Sequence, residues 1–188
     1  MKTYLALDVG GSSIKYALIQ EDSTILEKSS VPTPMDTMDH FVETIGTIYD
    51  QYKDRIEGMA ISMPGIINPE IGYAFTGGAL RYIDKMNIVD ILKERCPINI
   101  TIGNDAKCAA NAEIGYGNLQ DIQDGAVVIL GTGIGGCLIK DHKVHTGRHF
   151  SAGEFSFVKT NCLDGISWDY AWSTRNGIKG LLERVRNH

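Results

Sequence analysis

The 188-residue sequence has no Cys-x-x-Cys pair, no block of like charge and no apolar run long enough to span a bilayer. Each absence removes a class of protein. Cys96, Cys108, Cys137 and Cys162 stand apart along the chain, which fits reduced thiols better than a disulfide frame or a zinc knuckle. Lys and Arg number 18 against 23 Asp and Glu, a formal net charge of −5, whereas a nucleic-acid binder should carry a basic face. The opening "MKTYLALDVGG" has one Lys and a short apolar stretch broken by Asp8, too short for a signal-peptide core or a membrane span. The expectation is a cytoplasmic protein that binds neither nucleic acid nor membrane.

What the chain does have is glycine, 21 residues of it, on a background of 43% hydrophobic and 22% charged residues. That background is ordinary for a globular protein able to bury a core. Residues 3–19 read as strand, glycine turn, strand, and 23–33 as a third extended segment broken by Pro32 and Pro34. In 36–53, Met38, Phe41, Ile45, Ile48 and Tyr52 recur at three- and four-residue steps, the period of one helical face, with Asp36 as N-cap. A short buried strand over 58–65, a helix over 87–96, a strand over 98–104 and an Ala-rich helix over 105–117 follow. Residues 124–147 read as strand, glycine turn, strand and a further hairpin, and 173–188 as one helix. Strands alternating with helices predict an α/β protein, with one domain over 1–117 and a second over 118–188.

Both halves open alike, "LALDVGGSSIKYALI" beside "VVILGTGIGGCLI", an apolar strand feeding a Gly-rich turn into another apolar strand. The second contains G-x-G-x-x-G at Gly131, Gly133 and Gly136, which alone is a weak dinucleotide signal. In a dinucleotide fold the last glycine opens a helix whose N-terminus faces the pyrophosphate. Here "CLIKDHKVHTG" follows instead, short-period and closed by Gly147, so a hairpin over 126–140 is expected and an NAD oxidoreductase is not. Glycines without Cβ let successive amides cradle an anion, and two such turns, one per lobe, can hold a polyphosphate.

"ALDVGGSSIKYALI", "ISMPGIINPEIG", "IGNDAKCAANAE", "GTGIGG" and "GRHFSAGEF" follow in order the motifs of the ROK family (repressor, open reading frame, kinase), and from residue 3 to about 157 the chain resembles that family. The resemblance implies the two-lobe actin/hexokinase-like (ribonuclease H-like) fold. It also implies an ATP-dependent sugar 6-kinase using Mg²⁺, and a homodimer for the full-length protein. By the same resemblance Asp105 takes the proton from the attacking sugar hydroxyl, while Asn104, Glu154 and the backbone of Gly65 meet the sugar. Read from the residues alone, Asp105 is as well explained as a cap of the Ala-rich helix. Asp8 is expected near Mg²⁺, often through water, with Gly10, Gly11 and Ser12 at the phosphates. Lys15 either adds positive charge there or is a surface strand lysine. In the second turn Thr132 offers a hydroxyl to phosphate, and Gly133 and Gly135 give backbone access. Asp169 aligns weakly with a second sugar-binding Glu.

The departures from the family pattern carry expectations of their own. Ser156 and Phe157 stand where many members have Gly-His, and Cys162 lacks the companions of a Cys-x-Cys-Gly loop, so no structural zinc is expected. In "FTGGALRYID" (75–84) Gly77 and Gly78 are expected to leave space, and with Phe157 to make an apolar, roomier sugar site, as in β-glucoside kinases. Family repressors carry a helix-turn-helix ahead of the first phosphate motif, which here starts at residue 3; a non-catalytic sugar sensor is therefore the second reading. Family kinases also run well past residue 188, adding the segment that contacts adenosine. The chain is thus expected to be incomplete and inefficient by itself, with an apolar helix face (Ile178, Leu181, Leu182, Val185) lacking a partner layer.

Overall fold

The computed structural model describes residues 1–161 and 167–186. Two compact units make up the chain, Met1–Asp105 and Ala106–His188. The first contains β1 (Thr3–Val9), β2 (Ser13–Gln20), β3 (Ile25–Pro32), α1 (Met38–Tyr52), β4 (Met59–Met63), β5 (Ile66–Asn68), β6 (Tyr73–Thr76), β7 (Asp84–Asn87), α2 (Ile88–Arg95) and β8 (Ile100–Asn104). The helix α3 (Asp105–Tyr116) begins where this unit ends. Five strands form one sheet in the order β3-β2-β1-β4-β8. The pairs β1–β2 and β2–β3 are antiparallel hairpins, whereas β1–β4 and β4–β8 are parallel. Parallel neighbours need crossovers, which the segments containing α1 and α2 supply.

Period-2 alternation sets the register. Leu5, Leu7 and Val9 of β1, Met59, Ile61 and Met63 of β4, and Ile100 and Ile102 of β8 are all buried. They share one core with Phe41, Ile45, Ile48, Tyr49 and Tyr52 from α1 and Ile88, Val89 and Leu92 from α2. Each fully buried side chain of this size stabilises by roughly 1.5–3 kcal/mol. The parallel register aligns Asp8 with Ser62, and Ser62 and Met63 with Gly103 and Asn104. The carboxyl ends of three strands therefore lie along one edge, where ligands of open parallel sheets are held.

Several expectations change in detail. The cap of α1 is Thr37, whose hydroxyl accepts from the His40 N–H at 3.2 Å; the Asp36 carboxylate instead pairs with the His40 ring at 2.9 Å. A second sheet, β5-β6-β7, occupies residues in which the periodicity was too short to read. Its connection buries Leu80 and Ile83 completely or nearly so.

The second unit holds β9 (Gly125–Leu130), β10 (Ile134–Lys140) and β11 (Lys143–His145) in one antiparallel sheet, then α4 (Trp172–Asn176) and α5 (Ile178–Arg186). The hairpin expected over 126–140 is present, and no helix starts at Gly135 or Gly136. The single C-terminal helix is in fact two. Gly177 is extended at their junction (ψ 166°), and the Ile178 N–H donates to the Gly131 carbonyl at 3.0 Å instead of continuing a helix. On α5, Ile178, Leu181, Leu182 and Val185 are all exposed. No helix among the described residues is long and apolar enough to cross a membrane.

Burial also sets thiol reactivity. It pushes the Cys96 thiol up to about 11, and raises Cys137 as well. At pH 8 the Cys96 thiolate is a minor species, and the thiolate is the reactive form. A thiol reagent should label neither Cys96 nor Cys137 in the folded protein at pH 8, and both once urea unfolds it. Peptide mass spectrometry reads the outcome; fast native labelling of Cys96 would contradict its placement in the core.

Candidate active site

In the first unit the turn between β1 and β2 is pinned at Gly10. Its N–H donates to the Ser13 carbonyl at 2.9 Å, and its carbonyl accepts from the Thr33 hydroxyl at 2.7 Å. The Thr33 N–H donates to the Ser12 carbonyl at 3.2 Å. The chain around Gly11 and Ser12 is exposed, so their amides can meet an anion. Asp8, exposed on β1, accepts from the Ser62 hydroxyl at 3.2 Å. Lys15 is exposed on β2 directly opposite Asp8, and opposed residues of an antiparallel pair project from one face.

At the end of β8 the Asn104 side chain is 5% exposed and its amide donates twice, to the Gly65 carbonyl at 2.9 Å and to Asp105 Oδ1 at 3.0 Å. One buried amide thus ties the backbone after β4 to the carboxylate that opens α3. Asp105 itself is exposed, at a helix start where backbone dipoles favour the ionised form. Gly65 has φ +110°, and a Cβ there would stand 1.9 Å from the Thr76 carbonyl oxygen. Asp8, Gly65, Asn104 and Asp105 therefore all lie at carboxyl ends of the parallel strands or just beyond them.

The Gly-Gly segment departs from the expected open space. A Cβ at Gly77 would meet the Leu80 carbonyl and Ile83 Cβ at 2.6 Å, and one at Gly78, where φ is +59°, would stand 3.2 Å from the Gly65 nitrogen. These glycines are there because the backbone closes on itself. In the direction a side chain would take, both positions are filled by neighbouring backbone and core atoms.

In the second unit the turn 131–133 is closed by a bond from the Gly131 N–H to the Gly133 carbonyl at 2.9 Å. Thr132 is exposed at its tip. Sequence reading missed the residues that brace it. The Ser173 hydroxyl accepts from the Ile134 N–H at 2.9 Å, and Gly177 packs so closely that a Cβ would lie 2.5 Å from the Thr132 carbonyl oxygen. A Cβ at Gly133 would strike the Ser173 hydroxyl. Gly135 lies on β10 with ordinary clearance of 3.7 Å to Ala106, so it permits close packing more than it demands it.

Glu154 is held by Lys107 of α3, Nζ to Oε1 3.6 Å, with side chains 9% and 17% exposed for Lys107 and Glu154. The Ser156 hydroxyl donates to Glu154 Oε2 at 3.4 Å. The preceding Gly153 has φ +76°, and a Cβ there would lie 2.5 Å from Cys137 Cα on β10; only glycine brings Glu154 this close to the sheet. Lys107 gave no periodic signal, though a Lys amid "DAKCAANA" is the one cation on an otherwise small-residue stretch. Lys107→Met should cost about 2 kcal/mol, below the usual cost of stranding one partner of a buried pair because Glu154 is partly solvated. Urea unfolding measures it. Adding Glu154→Gln should recover stability, and no recovery would mean the pair does not couple.

Asp169 is exposed, with its carboxylate accepting from the Ser167 hydroxyl at 2.9 Å. Phe157 is 48% exposed and meets the Trp168 ring edge-on at 5.4 Å. Among the described residues no three His, Cys, Asp or Glu side chains gather as a metal-binding group; Cys162 lies outside the described residues.

The ROK family model matches residues 4–167. The beta-glucoside kinase of Listeria monocytogenes is 31% identical over 153 residues, 81% of this chain and 52% of that protein. The N-acetyl-D-glucosamine kinase of Haemophilus influenzae is 30% identical over 173 residues, 89% of this chain and 57% of its own length. Among solved structures, the Lmo2764 protein of Listeria monocytogenes superposes with a TM-score of 0.90 at 27% identity, covering 98% of this chain and 64% of the other. The chain spans about half the length of the curated relatives it matches. The fold is α/β and actin/hexokinase-like.

Proposed function

The chain belongs to the ROK family, and from that premise we propose that the protein transfers the γ-phosphoryl group of ATP to a sugar hydroxyl, the 6-hydroxyl of a hexose or β-glucoside. The hydroxyl oxygen forms a bond to the γ-phosphorus as the bond from that phosphorus to the β,γ-bridging oxygen breaks, and ADP leaves. Asp105 accepts the hydroxyl proton. A carboxylate is a weak base at neutral pH, but phosphoryl transfer has a loose transition state and rewards orientation above basicity. The observation that carries the reading is the Asn104 side chain, which bonds both Gly65 and Asp105 and so fixes the carboxylate relative to the backbone expected at the sugar.

The other residues take roles their surroundings support. Glu154, held by Lys107, is suited to accept from sugar hydroxyls, and Asp169 is a further acceptor. The amides of Gly11 and Ser12 in one unit, and those around Thr132 and Gly133 in the other, are suited to phosphate oxygens. Gly135 keeps that strand close-packed. Lys15 adds positive charge beside Asp8.

Mg²⁺ fits Asp8: a solvent-facing carboxylate at a strand end is the single hard oxygen ligand this ion takes when phosphates and water supply the rest. When bound there it would neutralise phosphate charge. We place the reaction in the cytoplasm, with a homodimer as the full-length form and no structural zinc. ADP release measured with glucose, N-acetylglucosamine and β-glucosides tests the proposal. Sugar-dependent release is expected; sugar binding without any release would favour a sugar sensor.

A further inference from the structure

We propose that Trp168, backed by Phe157 and Lys159, is a stacking platform for the group a glycoside carries on its anomeric oxygen, selecting aryl β-glucosides over free hexoses. The proposal rests on the kinase reading and adds to it a surface that determines specificity. Scattered exposed aromatics are ordinary on protein surfaces, so the 64% exposure of Trp168 is not the argument. The scaffolding around it is.

The Phe157 ring meets the indole edge-on, 5.4 Å between centroids at 63°. Lys159 Nζ stands 5.4 Å from the indole centroid and is itself tied down, donating to the Ser167 carbonyl at 2.7 Å. The two chain segments are then stitched together through the backbone. The Trp172 N–H donates to the Val158 carbonyl at 2.7 Å, and the Thr160 N–H to the Tyr170 carbonyl at 2.8 Å, flanking a bridge between Lys159 and Ala171. A large side chain is thus held in place while nearly two thirds of it faces solvent, which is the preorganisation a binding surface needs. The neighbouring tryptophan behaves differently: Trp172 is partly buried and packs against Phe155 at 6.4 Å.

Position in the chain suggests the occupant. Phe157 closes the single turn that follows Glu154, and Trp168 adjoins Asp169. Along the chain, Phe157 thus comes three residues after one carboxylate proposed above for sugar hydroxyls, and Trp168 immediately before another. An equatorial β-substituent continues along the mean plane of a glucose ring, so an aryl β-glucoside is a long flat ligand with a ring to stack. Aromatic pairs gain at 4.5–7 Å beyond the area they bury. A free hexose offers only a hydroxyl there and gains nothing from the indole.

This chain has two tryptophans, so in Trp172→Phe the indole emission excited at wavelengths that tyrosine does not absorb comes from Trp168. Titration with phenyl β-glucoside should shift its emission, and glucose should not. Trp168→Ala should raise KM for phenyl β-glucoside about tenfold more than KM for glucose, with Trp168→Tyr recovering most of the difference. Equal changes for both sugars, or no change for either, would overturn the platform. If no sugar is phosphorylated, the kinase reading falls. The same variants compared by equilibrium binding then decide the platform alone: a selective tenfold loss for the phenyl glycoside supports it, and an unselective loss, no loss or no binding overturns it.

Discussion

Asp105→Asn should lower turnover by about a thousandfold, within the range attributed to a positioned general base, while leaving the fold and sugar affinity near wild type. The structure gives the reason for the second half. Asn104 donates to Asp105 Oδ1 at 3.0 Å, and an asparagine at 105 keeps an acceptor oxygen for that bond. What the substitution removes is the carboxylate's negative charge and its capacity to take a proton. The loss should therefore sit in kcat, with KM little changed, as for an interaction made in the transition state. Steady-state kinetics with thermal melts separates the two halves. Turnover within about threefold of wild type would assign Asp105 to capping α3 and nothing more.

Gly65→Ala should be the most damaging single methyl in the first unit. Two costs add at that position. A backbone at φ +110° is one that side-chain-bearing residues adopt at roughly 1–3 kcal/mol. The added Cβ would also stand 1.9 Å from the Thr76 carbonyl oxygen and 2.8 Å from its carbon, and neither can swing away as a flexible side chain would. Overpacking of that kind costs roughly 1–3 kcal/mol more. A total of about 4 kcal/mol is a large share of the stability of an ordinary domain, roughly 5–15 kcal/mol, and should lower Tm by about 10 °C or more. Because the Gly65 carbonyl accepts from Asn104, activity should fall below what the stability loss alone explains. Gly115→Ala on α3 is the control: its Cβ would meet nothing within 4 Å, and the change should stabilise by a few tenths of a kcal/mol or more. Similar melting for both variants would refute the close approach at Gly65.

The parts of this structure that sequence could reveal are those set by local period. The apolar steps of α1, the alternation in β1 and β4 and the strand-like residues after Gly136 report directly on which face is buried. The sheet β5-β6-β7 gave no such signal, because strands of three or four residues are too short for alternation to be read. Gly77 and Gly78 show a deeper limit. A glycine reads equally as open space and as the one residue small enough for backbone contact, and only the positions of Leu80 and Ile83 decide between them. The break at Gly177 belongs to the same class: α5 starts where Ile178 bonds Gly131, a partner far away in sequence. The carboxylates and glycine turns of the candidate site were picked out by resemblance. Their braces, Lys107 and Ser173, were not, since each acts through a residue that only the fold brings near.

Phosphorus NMR of the products formed from ATP, Mg²⁺ and glucose or a β-glucoside is the measurement that decides whether the protein transfers a phosphoryl group to a sugar hydroxyl with Asp105 as the proposed base. A phosphate monoester on the primary hydroxyl is expected with wild-type protein, and almost none with Asp105→Asn at equal sugar occupancy. A protein that binds sugar and ATP yet forms no ester, or an Asp105→Asn variant that forms it at the wild-type rate, would contradict that proposal.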